Sequence, residues 1–502
     1  MIRLLATTSL LAALAALGCA AAPPAPPPAP VSKPVAVAPP APTKPWHTTP
    51  PPEPIAVTQT PDTPAQEQVL ANGLRVVVVE HHGRPTVMIR LVLPQGTVGD
   101  PPEWAGATYL GVSLATDYYE LNDQNEPIYD EKSFRGQLVE LGGTAFALAE
   151  PDGSVIGVSG LSVNTHRYLS KLAAAVLRPR LGEHSFSARR DALLDELDDL
   201  ESADPEAFQR VVTASAFGKN HPYSRSTIGT ESSLTDMGVE MVLERQKRVL
   251  VPGGATLLVV GDVKAEAVFT AVAALFRPWR GRAPPSLPIA LPSLARSSGV
   301  AVLKRTPAQT LAVCAARPLR EGRDAMGTLQ VLAAILGRGL GSRLSLNLRE
   351  QHTLTYSTDA AVARRRYANA FLACATLDAA HAEEGVKLFR ETLESAARVP
   401  PTPQELERAK ALLLQDLAAH RDDAAHITEA WLNAILIDDG RPDFDKQAAA
   451  ISQVTAEQVQ AMARKVLAPD TLAWTMSGDP DVAAKAAAAD HLGRSRPVSF
   501  ER

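Results

Sequence analysis

The sequence predicts an α+β fold arranged in two halves of similar plan. Strand-like and helix-like runs alternate from Gln68 onward, a mixture that implies sheets layered against helices. Residues 279–298 are rich in Pro, Ser and Arg and interrupt the alternation, after which a similar order of elements begins again. Because the halves share element order rather than residue identity, a duplicated domain and two unrelated α+β domains both fit the pattern.

The first half begins with two strand-like runs and then mixes helices with strands. Its predicted strands are GLRVVVVE, TVMIRLVLPQG, the pair GTAFALAE and SVIGVSGLSV, and the closing GATLLVVGDV. Glycine stops the helix EKSFRGQLVELGG, and THRYLSKLAAAVLRP has the apolar spacing of an amphipathic helix. Further helices are predicted from Ser187 to Glu201, in DPEAFQRVVTASAFG and near residues 232–250, with the loop KNHPYSRSTIG between the last two.

The second half repeats this succession after the linker. Its predicted strands are GVAVLKR, AQTLAVCAARP, TYSTDAAVA, NAFLACATL and TLAWTMSGD. Its predicted helices are MGTLQVLAAILG, AEEGVKLFRETLESAARV and TAEQVQAMARKVL, with two more near residues 403–419 and 427–437. A turn rich in Gly and Arg follows the first of these helices.

The N-terminus has the features of an export signal. Arg3 gives a short positive region, residues 4–17 are apolar, and Cys19 closes the run. This run is shorter than the roughly 20 residues needed to span a bilayer, so it predicts export followed by processing. The stretch ALGC resembles a bacterial lipoprotein signal with Cys19 as the lipidated residue, although an ordinary secretory signal also fits because Ala16 stands where leucine is commoner. By resemblance to Gram-negative lipoproteins, Ala20 predicts an outer-membrane lipoprotein facing the periplasm or the cell surface.

The segment after the signal has the composition of a tether. Residues 20–66 are dominated by Pro and Ala, and such a composition cannot bury enough apolar surface to fold. The predicted order is therefore signal peptide, disordered tether, N-terminal domain, linker, C-terminal domain and tail, with the bounds 1–19, 20–66, 67–278, 279–298, 299–480 and 481–502.

Charge and cysteine content limit the possible partners. The formal net charge of −5, without a block of Lys or Arg, argues against nucleic acid and against a membrane contact made through charge. With Cys19 assigned to lipid, Cys314 and Cys374 remain, each in an apolar strand-like run, so no cysteine-ligated metal site can be built. A buried disulfide and two buried free thiols both fit an oxidising compartment, and free thiols are favoured because two strands need not be neighbours.

Several motifs in a fixed order resemble the pitrilysin/insulinase family of zinc peptidases, which includes the mitochondrial processing peptidases. They are LANGLRVVVVEHHGRPTVMIRLVLPQGTVGDPPEWAGATYLG, LVELGGTAFA, LLDELDDLESADPEAF, HPYSRSTIGT, LGRGLGSRLSLNLREQHTLTY and LAWTMSGD, and together they cover roughly residues 66–480. The resemblance implies two homologous domains, each a mostly antiparallel sheet backed by helices, in the LuxS/processing-peptidase-like metalloenzyme fold. It also implies a catalytic unit made of a clam-like pair of such two-domain halves.

The resemblance locates a zinc motif that this chain lacks. Family enzymes carry H-x-x-E-H on the first helix, where the i, i+4 spacing puts both imidazoles on one face. The Ala-Gly dipeptide of WAGATYLGVS aligns Tyr109 and Ser113 with the two histidines and Val112 with the glutamate. The distal glutamate ligand falls on Glu196. A phenol, a hydroxyl and an alkyl group cannot replace these donors, and none of the 11 histidines forms an i, i+4 pair, so no metal or other cofactor is expected.

Residues that the family uses to bind substrate are present. By resemblance, Arg349 and Tyr356, seven residues apart in LREQHTLTY, contact the substrate backbone near the scissile bond. A forked guanidinium and a directed hydroxyl suit contacts to peptide carbonyl groups. The alternative is structural, with Arg349 paired on its helix and Tyr356 packed in a strand.

These observations predict an exported, lipid-anchored, non-catalytic homologue of the zinc peptidases. In this hypothesis the chain pairs with an active zinc-bearing homologue and supplies peptide binding to a heteromeric protease. A peptide or unfolded protein would add a strand to a sheet edge, since backbone pairing tolerates varied sequences. An envelope scaffold or peptide-binding module without a proteolytic role is the second hypothesis, and a peptidase with another metal geometry is the third.

Overall fold

The computed structural model describes residues 64–116, 134–179, 182–202, 204–282, 285, 288–292, 299–305, 308–438 and 440–498. The predicted signal segment, Cys19 and the predicted tether up to residue 63 lie outside the described residues. Within the described ranges, no helix has both the length and the apolar content needed to cross a membrane.

The first half is a six-stranded sheet with its associated helices. The strands are β1 Ala65–Val69, β2 Arg75–Glu80, β3 Thr86–Leu93, β4 Thr144–Ala149, β5 Ser154–Leu161 and β6 Thr256–Gly261. The helices are α1 Ala107–Leu114, α2 Phe134–Glu140, α3 Thr165–Leu177, α4 Glu183–Ser202, α5 Asp204–Phe217, α6 Glu231–Thr235, α7 Val239–Val249 and α8 Ala265–Leu275. The single helix expected near residues 232–250 is two helices, because Gly238 between them is extended.

The second half is a second six-stranded sheet with its own helices. The strands are β7 Val300–Lys304, β8 Thr310–Leu319, β9 Thr355–Ala363, β10 Asn369–Asp378, β11 Ala473–Gly478 and β12 Ser495–Val498. The helices are α9 Met326–Gly337, a π-helical segment Ser345–Gln351, α10 Ala382–Arg398, α11 Pro403–Ala419, α12 Ala424–Ile437, α13 Phe444–Ser452, α14 Ala456–Val466 and α15 Pro480–Ala489.

The two sheets share the order of five strands. The first sheet runs β1-β2-β6-β3-β5-β4, and the second runs β12-β7-β11-β8-β10-β9. In each sheet the second and third strands of this order are parallel, and the following three pairings are antiparallel. The predicted α+β fold with two domains of the same plan, each a mostly antiparallel sheet backed by helices, is therefore confirmed.

The outermost strands show two predicted bounds to be wrong. Strand β1 begins at Ala65, inside the predicted tether, and pairs antiparallel with β2. Residues 481–502 were expected to form a tail, but α15 continues the second domain and β12 pairs parallel with β7. The short strand β12 carries Pro497, which a strand at the edge of a sheet tolerates.

Each sheet is covered on one face by a helix from the other half. Helix α12 of the second half packs on β3 and β6, and its Trp431 lies in one cluster with the valines of β2. Helix α5 of the first half packs on β7, β8 and β11. The continuous apolar runs of the central parallel strands, RVVVVE in β2 and TLLVVG in β6, reflect this coverage on both faces.

Cys314 and Cys374 form a disulfide, so the expectation of two free thiols is wrong. The prediction that both lie in apolar strands is correct, since they occupy β8 and β10. These strands are antiparallel neighbours, and their register places the two cysteines directly opposite each other. Spacing along the chain cannot reveal such a pairing, because the cysteines are 60 residues apart.

Candidate functional site

Helix α1, which carries the three degenerate motif positions, begins at a glycine that the fold requires. Gly106 precedes the helix with φ 94°, and a Cβ atom there would lie 2.6 Å from the carbonyl oxygen of Ile228. The Ala-Gly dipeptide of the motif is thus needed to bring the loop HPYSRSTIG against the start of α1. This explains on physical grounds why the loop and the helix occur together in the sequence pattern.

A buried ion pair holds α1 in place. The carboxylate of Asp100 accepts hydrogen bonds from the backbone N–H of Thr108 at 3.1 Å and from the Nε of Arg245 at 2.7 Å. Arg245 also donates to the side chain of Gln95 and to the carbonyl of Gly96. Burial raises the pKa of Asp100, and the guanidinium opposes that rise. Because both charges are buried, removing either partner would leave the other uncompensated.

The three degenerate motif positions are filled by ordinary packing. Val112 is buried in the core of the first half, and the hydroxyl of Ser113 donates to the carbonyl of Leu110 at 3.2 Å. Tyr109 is only partly buried, and its hydroxyl accepts a hydrogen bond from Nη2 of Arg189 at 3.0 Å. The guanidinium carbon of Arg189 lies 5.5 Å from the centre of the phenol ring.

Arg189 is a residue that the sequence analysis did not identify. It lies on α4, seven residues before Glu196, so both side chains project from the same face of that helix. Helix α4 packs against α1, which brings the arginine to Tyr109. The i, i+7 spacing between a basic residue and the expected zinc ligand is the signal that could have found it.

The residues present do not fit a zinc ion. Zinc takes deprotonated nitrogen, sulfur or carboxylate donors, whereas positions 109, 112 and 113 offer a phenol, an alkyl group and a hydroxyl. A guanidinium bound to Tyr109 adds a positive charge where a cation would have to sit. Nowhere in the described part of the chain do three or more His, Cys, Asp or Glu side chains form a group that could hold a metal.

The structure brings Arg349 and Tyr356 together. Arg349 lies in the π-helical segment and Tyr356 near the start of β9, and the guanidinium carbon is 4.9 Å from the centre of the phenol ring. Tyr356 is 73% exposed, so it is not packed in the sheet as the structural alternative required. Arg349 also forms an ion pair with Glu350, with 3.5 Å between its Nε atom and Oε1 of that residue. An aromatic side chain held open to solvent by a cation is available to a ligand.

Comparison with known proteins finds similarity to the M16 peptidases. Residues 236–413 match the family model described as the Peptidase M16 inactive domain. An uncharacterized zinc protease of Mycobacterium tuberculosis is 27% identical over 299 residues, which cover 59% of this chain and 68% of that protein.

Two solved structures share the fold. The M16 inactive domain from Pseudomonas fluorescens superposes with a TM-score of 0.72 at 20% identity and covers 83% of this chain and 98% of its own. A chain of Complex III2 from Candida albicans has a TM-score of 0.68 at 13% identity and covers 82% of this chain and 95% of its own.

The fold and the site together define an inactive peptidase-like protein. It has two domains, each a sheet with helices, and positions 109, 112 and 113 of its degenerate zinc motif carry no metal ligand. The chain resembles the M16 family, the pitrilysin/insulinase peptidases, and carries Tyr109, Val112 and Ser113 where that family has its zinc-binding motif. The resemblance inferred from the sequence motifs is confirmed.

Proposed function

We propose that this protein is the non-catalytic subunit of a heteromeric envelope protease, in which an active zinc-bearing homologue performs the cleavage. The observation that carries the proposal is the contrast between the two candidate sites. Tyr109 is bound by Arg189 at the degenerate zinc site, whereas Arg349 and the exposed Tyr356 form an open pair. A subunit that lends peptide binding but no metal needs the second site only.

The edge strand β4 is the proposed place for the peptide backbone. Among the described strands, β4 ends the first sheet and pairs only with β5, so its outer backbone groups are available for a further strand. Helix α1 packs beside β4, which puts this edge next to the degenerate zinc site. A peptide added here would gain main-chain hydrogen bonds without sequence selection.

Co-expression with a zinc-bearing homologue from the same organism tests the pairing. The complex should cleave an unfolded protein substrate, the isolated chain should not, and Arg349→Ala should weaken peptide binding by the complex about tenfold. Arg167→Ala, a change to an exposed arginine of α3, is the matched control. Chelator-sensitive cleavage by the isolated chain would overturn the proposal.

The export and lipid anchor are part of the same proposal, supported by the N-terminal sequence pattern. Cells fed labelled palmitate should incorporate label into the wild-type chain and not into the Cys19→Ala variant. On fractionation of the cells, the wild type should be found with the membranes and the variant should be absent from them. Equal labelling of both chains would remove the lipid anchor from the proposal and leave a secreted subunit.

A scaffold role is the second candidate, favoured by the similarity to a chain of Complex III2. It predicts that the protein co-purifies with partners that are not peptidases and that Arg349→Ala leaves their binding unchanged. The peptide-binding subunit predicts the opposite result for the same variant.

A further inference from the structure

The face of the first sheet that α12 covers and the face of the second sheet that α5 covers carry different side chains. On the first sheet this face carries valine and leucine, and α12 packs on it. On the second sheet the matching face, covered by α5, carries mostly alanine together with the two bonded cysteines. Since small side chains fill less volume than branched ones, the space under α5 is not closed by packing.

A cavity of about 560 Å³ lies in this space, at the junction of the two halves. Phe208, Val212 and Phe217 of α5 form one apolar wall, and Cys374 with the neighbouring alanines of β9 and β10 forms the opposite wall. Helices α9, α11, α12 and α13 contribute the remaining sides. The volume is within the range of small-molecule sites, about 300–1,000 Å³.

The carboxylates of the cavity wall are paired with one exception. Arg338 forms an ion pair with Asp416, and Arg364 forms one with Asp438. The first pair is partly exposed and marks the rim. Asp359 is the exception, because its Oδ2 atom is buried and has no hydrogen-bond partner among the described residues.

The register of the sheet places Asp359 inside the cavity. Asp359 of β9 lies directly opposite Cys374 of β10, and directly opposed residues project from the same face. Cys314, Cys374 and Asp359 therefore form a row across three strands on the face that lines the cavity. Burial raises the pKa of Asp359 to about 6, although a hydrogen bond from the backbone N–H of Ala360 and the charge of Arg338 oppose that rise.

The other basic side chains of the cavity wall, Arg365, His420 and Arg338, do not form an ion pair with Asp359. Arg365 acts on Asp152: burial raises the pKa of Asp152, and the hydrogen bond from Tyr223 and the charge of Arg365 oppose that rise. Burial also lowers the pKa of His420 and so favours its neutral form. The charge of Arg338 opposes the rise in the pKa of Asp359, but the ion pair of this arginine is made with Asp416.

We propose that this cavity binds a small organic cation, with an ammonium or guanidinium group on an apolar body, and that Asp359 is its counterion. A buried carboxylate with a free oxygen supplies a charge-assisted hydrogen bond, and the phenylalanine and alanine walls bury the apolar part. The site is separate from Arg349 and Tyr356, neither of which lines the cavity, and it does not rest on the proposed function.

Calorimetric titration of the full chain at pH 7.5 with three probes of one shape tests the site. The probes are phenethylammonium, neutral 2-phenylethanol and anionic 3-phenylpropionate. Phenethylammonium should bind at least about tenfold more tightly than the other two, because only it can pair with the carboxylate. Asp359→Asn should remove this preference.

Two further variants separate the site from general effects. Glu429→Gln on α12 is the matched control, because burial raises the pKa of Glu429 but its side chain does not line the cavity; it should leave binding unchanged. Ala361→Leu adds volume to the cavity wall on β9 and should weaken the binding of all three probes. Absence of binding at millimolar probe, equal binding of the three probes, or a preference for the cation that survives in Asp359→Asn would overturn the proposal.

Discussion

Arg189 of α4 adds a positive charge beside Tyr109 of α1, at the position of the zinc motif in the family that the chain resembles. Its guanidinium donates to the hydroxyl of Tyr109, so two changes exclude a cation here: the loss of the ligands and the presence of a competing charge. Restoring the ligands alone would leave the second obstacle in place.

The effect of the Arg189 charge on zinc affinity can be measured in variants that restore part of the zinc site. The double variant Tyr109→His, Ser113→His restores an i, i+4 pair of imidazoles, and we expect it to bind zinc weakly with Glu196 as the third ligand. Adding Arg189→Met should raise the zinc affinity about tenfold or more, because it removes one unit of charge next to the metal. Calorimetric zinc titration measures the difference.

The neighbouring arginine provides the control. Arg190 pairs with Asp191 rather than with Tyr109, so Arg190→Met added to the same double variant should leave the zinc affinity unchanged. Equal effects of the two methionine variants would show that Arg189 acts only through the net charge of the helix.

The burial of Asp359 predicts that the free energy of unfolding depends on pH. Folding raises the pKa of this carboxyl from 3.8 to about 6, so the folded state favours its protonated form. The favourable contribution is present at low pH and is lost as the pH rises through about 6. In the absence of ligand, Asp359→Asn should therefore be more stable than the wild type at pH 8, by up to about 3 kcal/mol.

Urea unfolding at several pH values measures this difference. The two proteins should converge below about pH 4, where the carboxyl is protonated in both the folded and the unfolded state. Asp236→Asn, a change to an exposed aspartate at the end of α6, should show no such pH dependence. A constant difference between wild type and Asp359→Asn from pH 4 to pH 8 would contradict the assignment.

At the scale of elements, the disulfide joins two neighbouring strands that are far apart in sequence. The bond closes a loop of 60 residues, which lowers the entropy of the unfolded chain. Replacing both Cys314 and Cys374 by alanine should lower the free energy of unfolding by about 2–4 kcal/mol. Reductant should destabilise the wild type by a similar amount and leave the double variant unchanged, and guanidinium unfolding with and without reductant measures both effects.

The sequence predicted most elements but not how they pair. Alternating and continuous apolar runs identified ten of the twelve described strands, all except β1 and β12, because their residues face cores on one or both sides. Helix α8 was not identified, since the alanines in AEAVFTAVAAL blur the helical period. The neighbours Cys314 and Cys374 and the edge strand β12 were missed because pairing across a sheet leaves no trace in local composition.

The same limit applies to the candidate site. Tyr109, Val112 and Ser113 could be placed from the motif, whereas the contact between Arg349 and Tyr356 was not predicted and is a finding of the structure. The partners of Arg189 and Asp359 could not be predicted, because they depend on which helix or strand packs opposite each residue.

At the scale of the molecule, a buried hydrogen-bond network ties the halves together. The hydroxyl of Tyr223 donates to the carboxylate of Asp152, and it accepts a hydrogen bond from the backbone N–H of Tyr367 at 3.0 Å. Asp152 also accepts from the backbone N–H of Arg366. Since Tyr223 and Asp152 belong to the first half and the two N–H groups to the second, this network bridges the junction.

Tyr223→Phe should weaken the junction by about 1–3 kcal/mol, because it removes the hydrogen bond to one oxygen of the buried Asp152 carboxylate and the acceptor of the partly buried N–H group of Tyr367. Differential scanning calorimetry should show a lower midpoint and a separation of the unfolding of the two halves. Tyr168→Phe is the control within one half: it removes a hydrogen bond to Leu141 and should lower the midpoint without separating the transitions.

The exchange of helices α5 and α12 gives the chain the connectivity of a swapped dimer whose two copies were joined end to end. If a protease cuts the chain within residues 279–298, the two fragments should then stay associated during purification under native conditions. Either fragment alone would leave one sheet face bare and would aggregate.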